Sequence, residues 1–94
     1  MFKIPRVNVI ESDEGFSVEV LGRTGLTYTE GGKSLFVDSE VLAQGEIAIW
    51  RNSIKSWTSS HDIEIIDTAK RNEIVKNIIR AFAWRNVNIS FFDP

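Results

Sequence analysis

One stretch patterned for a helix, from about Asp67 to Arg85, interrupts a chain that otherwise alternates apolar and polar residues in twos. Projected at about 100° per residue, Ile74, Val75, Ile78, Ile79, Ala81 and Phe82 gather within one arc of about 160°, the face such a helix must bury. Asp67 or Thr68 can cap its N-terminus. Asp67 also lies at the positive end of the helix dipole, with Arg80 and Arg85 near the negative end. Asn86 suits a left-handed C-cap, and Val87, Ile89 and Phe91 then restart the period of two. The order is therefore strands, one helix, one strand. Its simplest packing is an α+β fold, an antiparallel β meander with one C-terminal amphipathic helix on one face and a final short strand.

Within the meander, residues 2–10 read as a first strand with Val7 and Val9 on one face, and Pro5 argues for an edge or a strand start. Residues 11–15 form a polar turn. Phe16 to Leu21 alternates with Phe16, Val18 and Val20 inward, and Leu26 and Tyr28 continue the pattern after the turn at Gly22 to Gly25. Gly31-Gly32 supplies the positive φ of a tight hairpin. Ser34 to Asp38 is a strand with Leu35 and Val37 on one face, followed by a polar break at Ser39-Glu40. Glu46 to Arg51 is the next strand, with Ile47 and Ile49 together and Trp50 on the opposite side. Ile54 and Trp57, three apart, suit a turn of helix or an irregular segment packing two large side chains on the sheet.

The chain's 94 residues make one domain, residues 1–94, because separate cores need about twice this length. With 43% hydrophobic residues and 26% charged, it is an ordinary globular sequence with no disordered majority. The absence of cysteine removes disulfides and thiolate chemistry. The N-terminus lacks the apolar stretch of a signal peptide, and no run approaches the roughly 18 apolar residues of a membrane span. These features point to a cytoplasmic protein with no membrane partner. A net charge of −2 offers no long-range attraction for nucleic acid.

Candidate chemistry is sparse. His61, the lone histidine, adjoins Asp62, but neighbouring side chains in extended backbone point apart and no nucleophile stands beside them, so a solvated loop is the simpler account. One imidazole without cysteine makes no metal site. Glu11, Asp13 and Glu14 lack the alternating oxygens of a calcium loop. The glycine pairs join strand to strand, whereas a phosphate cradle enters a helix. Lys70, Lys76, Arg80, Trp84 and Arg85 make at best a fragment of a single-strand binding surface. The pattern predicts no catalytic residue and no cofactor.

Trp84 is the residue that bears on function. It falls outside the core arc beside Asn77 and Arg80, on the solvent side of the helix, and tryptophan and arginine are the side chains most often found carrying interface energy. Arg80, Trp84 and Asn77 are therefore the expected partner-binding residues. The competing account unwinds the last helical turn or folds the Trp84 ring back over the closing strand.

Several segments carry a family resemblance: Leu26-Thr-Tyr-Thr-Glu30; Val37-Asp-Ser-Glu-Val-Leu42; Ile47-Ala-Ile-Trp50 running into Ser53-Ile54-Lys-Ser-Trp57; and the helix Arg71-Asn-Glu-Ile74-Val-Lys-Asn-Ile78 with its following strand. Together they resemble immunity protein family seventy-four of bacterial polymorphic toxin systems, over roughly residues 16 to 92. The resemblance implies a bacterial cytoplasmic protein, encoded beside a toxin, that neutralises it by binding. The partner would be the cognate toxin domain, and the mechanism steric occlusion of its active site. The alternative is a small regulatory or structural interaction module, homodimeric through an exposed sheet edge.

Overall fold

The computed structural model describes residues 1–58 and 64–92. Six strands follow one another across the sheet in chain order: β1 (Phe2–Lys3), β2 (Val9–Ser12), β3 (Phe16–Val20), β4 (Thr24–Glu30), β5 (Lys33–Val41) and β6 (Ile47–Trp50). Each pairs antiparallel with the next. The β4–β5 hairpin closes on Gly31 and Gly32, at φ 59° and 80°, the positive-φ pair that a two-residue turn matched to strand twist requires. A two-stranded side sheet, β7 (Ser56–Trp57) with β8 (Glu64–Ile65), leads into α1 (Thr68–Trp84). The last strand, β9 (Ile89–Phe92), completes a seven-stranded sheet beside β6. It runs parallel to β6, in register Ile47↔Ile89 to Trp50↔Phe92, because the helix carries the chain back to the end where β6 began.

The helix starts where the sequence indicates. The Asp67 carboxylate accepts the Lys70 backbone N–H at 2.7 Å, satisfying one of the orphan donors of the first turn. Asn86 stands at φ 60°, and the Val87 N–H donates to Phe82 O at 2.9 Å, the six-to-one bond of a Schellman cap. The buried helical residues are Ile74, Val75, Asn77, Ile78, Ala81 and Phe82. The arc has the expected width but is rotated by about 40°. Ile79 thereby becomes 38% exposed and Asn77 goes inside. Against this face lie Val18, Leu26, Tyr28, Leu35, Val37 and Ile49, all buried on one side of the sheet.

Irregular segments contribute to the core as well. A single 3-10 turn, Arg51–Ser53, follows β6, and the Ser53 hydroxyl donates to Trp50 O at 2.7 Å while accepting the Asp38 N–H at 2.9 Å. This bridge places Ile54, fully buried, and Trp57, 7% exposed, under the helix. Trp50 takes the other side of the sheet, half-buried beside Thr24, Asp38 and Glu40.

Three expectations need correction. The first strand is broken between Lys3 and Val9, since Pro5 has no N–H to donate and Asn8 sits at φ 67°, so Val7 stands in solvent while Val9 and Ile10 are buried. Glu11 and Ser12 belong to β2, which shortens the polar turn after it. Ser39 and Glu40 do not end β5. They pair with Ile49 and Ala48 of β6, so a polar dipeptide reads as a break only until its cross-strand partners are known. His61 and Asp62 lie outside the described residues.

Candidate partner-binding site

The C-terminal turns of α1 meet the N-terminal strands at one end of the molecule. Phe2, paired across β1–β2 with Ser12, brings its ring to Trp84 at 5.7 Å between centroids and to Phe16 at 6.0 Å. Phe16 stacks on Tyr28 at 5.8 Å, and Tyr28 lies 6.3 Å from Trp57. An unbroken row of five rings thus runs from the surface at Trp84, 44% exposed, to the core at Trp57. Trp84 does not fold back over the closing strand. It lies about 20° beyond the edge of the buried helical arc, its ring tilted 36° against Phe2 and partly exposed.

Arg80 is held from several directions. Its Nη2 donates to Glu14 Oε2, while Nη1 reaches Glu14 Oε1 at 3.3 Å and Asn77 Oδ1 at 3.4 Å. Its guanidinium carbon is 5.9 Å from the Phe2 ring centroid and 6.0 Å from that of Phe16, within cation–π range. Hydrogen bonding to Glu14 raises the Arg80 pKa further, and the same bond to Arg80 holds the Glu14 carboxyl below its ordinary value. Both side chains are about half exposed, so the pair chiefly fixes geometry and contributes little stability.

Asn77 occupies a different environment from the one its sequence position suggests. Buried under the sheet, its Nδ2 donates to the Tyr28 hydroxyl at 2.9 Å, and that hydroxyl donates to Glu30 Oε1 at 2.5 Å. Glu30 in turn accepts from Lys70 Nζ, which also reaches Glu73 at 3.3 Å. Burial raises the Tyr28 pKa, and the hydrogen bond to Glu30 raises it further. Asn77 is therefore a positioning group between Tyr28 and Arg80. It is not on the solvent side with Arg80 and Trp84.

Phe2 and Glu14, which orient Trp84 and Arg80, carry no local signal in the sequence, since the Glu14–Arg80 contact spans 66 positions. Beside this cluster a cleft of about 440 Å³ opens between the Ile4–Asn8 loop and the end of the helix. Among the described residues no group of three or more metal-ligating side chains is assembled. No helix among them is long and apolar enough to cross a membrane.

No curated protein and no solved structure matches the chain. The family model described as Immunity protein 74 matches residues 17–92, from within β3 to the end of β9 and including all of α1. With most of its length so matched, the chain belongs to the Immunity protein 74 family.

Proposed function

We propose that, within the toxin-immunity role its family carries, this chain neutralises a cognate toxin domain in the cytoplasm by steric occlusion, with no chemistry of its own. Contact is made through the surface around Trp84 and Arg80. The observation that carries this reading is a half-exposed tryptophan already locked against Phe2 and flanked by an arginine pinned to Glu14. Rigid aromatic and arginine anchors lose little conformational freedom on binding, and such residues dominate interface energy. Asn77 contributes by holding Arg80.

The test is co-expression with the toxin domain encoded by the neighbouring gene, alongside a pull-down. Wild-type protein should rescue growth and recover the toxin, while Trp84→Ala should weaken binding by about 30-fold or more, the scale of a hot-spot truncation of about 2 kcal/mol. Failure of the wild-type protein both to rescue and to recover the toxin refutes the reading.

A further inference from the structure

Val7 is 81% exposed and Ile4 43%, two aliphatic side chains held out to solvent a few residues from Trp84's support at Phe2. They are not presented by a loose chain. Asn8 fixes the turn at φ 67°, the Val9 N–H donates to Arg6 O at 3.2 Å, and the Val20 N–H ties the loop to β3 through Asn8 O at 2.9 Å. Opposite them stand Phe82, Arg85 and Val87, and Val20 also lines the cleft of about 440 Å³ so enclosed. An apolar recess with one fixed wall of exposed aliphatics is a site awaiting an apolar occupant.

Charge narrows the occupant. Arg80 is engaged by Glu14 and Arg6 by Glu19 at 3.3 Å, whereas Arg85, on the rim of the cleft, makes no ion pair among the described residues. We infer that the cleft receives a bulky apolar side chain of the cognate toxin that stands next to a carboxylate, with the carboxylate meeting Arg85. The inference rests on the toxin-binding reading above and adds the partner's chemistry to it. The family match begins at residue 17, so Ile4 and Val7 lie outside it and Phe82, Arg85 and Val87 inside.

The full chain is titrated calorimetrically with the toxin domain encoded beside it. Val7→Asp and Arg85→Glu should each weaken binding at least tenfold, while Arg85→Lys and the distant Lys55→Glu stay within about threefold of wild type. Val7 is solvent-exposed, so Val7→Asp should melt with the wild-type protein, separating lost contact from lost fold. Wild-type-like affinity in both Val7→Asp and Arg85→Glu overturns the inference while leaving toxin binding intact. So does a self-associated wild-type protein that Val7→Asp dissociates without changing toxin affinity. No binding by the wild-type chain would instead remove the parent reading, and this one with it.

Discussion

Replacing Tyr28 by phenylalanine removes one oxygen from the centre of the polar row beneath the helix, and its effect can be worked from the geometry. The hydroxyl donates to a carboxylate at 2.5 Å and accepts from Asn77 at 2.9 Å. A hydrogen bond to a charged acceptor is worth about 1.5–3 kcal/mol, and a buried donor left without a partner costs about 1–3 kcal/mol. Glu30 keeps its bond from Lys70 and Phe avoids desolvating a hydroxyl, which offsets part of the loss. The net expectation is about 2–3 kcal/mol. For a domain of this size each kcal/mol moves the melting point by about 4–8 °C, so Tyr28→Phe should melt about 10–20 °C below wild type by circular dichroism.

A cycle with Asn77→Ala should show coupling of at least about 0.5 kcal/mol, since both changes break one chain of bonds. Tyr28 is the single tyrosine, so near-ultraviolet absorbance follows its ionisation alone, and it should titrate above the ordinary value of 10.0. A group with a raised folded pKa contributes stability that is present below the unfolded value and lost as pH rises from there. A melting shift under about 4 °C together with an ordinary tyrosine titration would refute the assignment of this hydroxyl to the buried network.

Ile54→Ala should cost about 2–5 kcal/mol in urea unfolding although the residue follows a turn, because its side chain is fully buried. Trp57→Ala should cost about 3–5 kcal/mol and Trp84→Ala about 1 kcal/mol, so that the two tryptophans separate core from surface in the same assay. Glu14 is held below its ordinary 4.5 by the hydrogen bond from Arg80. Burial pushes Glu30 up, but hydrogen bonds from Lys70 and Tyr28 outweigh it and leave its pKa lowered too. Depressed carboxyls contribute stability that is present above the unfolded value and lost as pH falls through the folded values. The urea midpoint should therefore drop below pH 4.5, and Glu30→Gln should make that drop shallower.

Much of this architecture is legible in period alone. Phe16, Val18, Leu26, Tyr28, Leu35 and Val37 point inward as alternation requires, and Asp67 and Asn86 bracket the helix. What local pattern misses is set by residues distant in sequence. Asn77 is drawn inside because Tyr28, 49 positions away, offers it a hydrogen bond, and that rotation turns Ile79 outward. Val7 fits an alternating strand until Asn8 takes a positive φ. The parallel course of β9 follows from where the helix ends in space, which no window of sequence encodes. The helix projection puts Trp84 and Arg80 at the surface, where they lie, but the residues that orient them, Phe2 and Glu14, have no local signal.

The pairing of β9 with β6 has a kinetic consequence. Neighbouring strands of the meander join through short connections, whereas Ile47 meets Ile89 across 42 positions of chain. Closing a loop of that length costs roughly 3 kcal/mol more entropy than closing a two-residue hairpin, and that loss precedes any contact that rewards it. The meander can thus assemble from local contacts while β9 docks late, so this edge strand should open before the long β4–β5 hairpin at the sheet's centre. Amides of β9 should exchange with solvent ahead of those in β4 and β5. Since α1 lies within the same closed loop, locking this strand is also the step that fixes the helix end bearing Trp84. A partner gripping that end would slow the exchange of β9, linking recognition to a late-docking strand of the sheet.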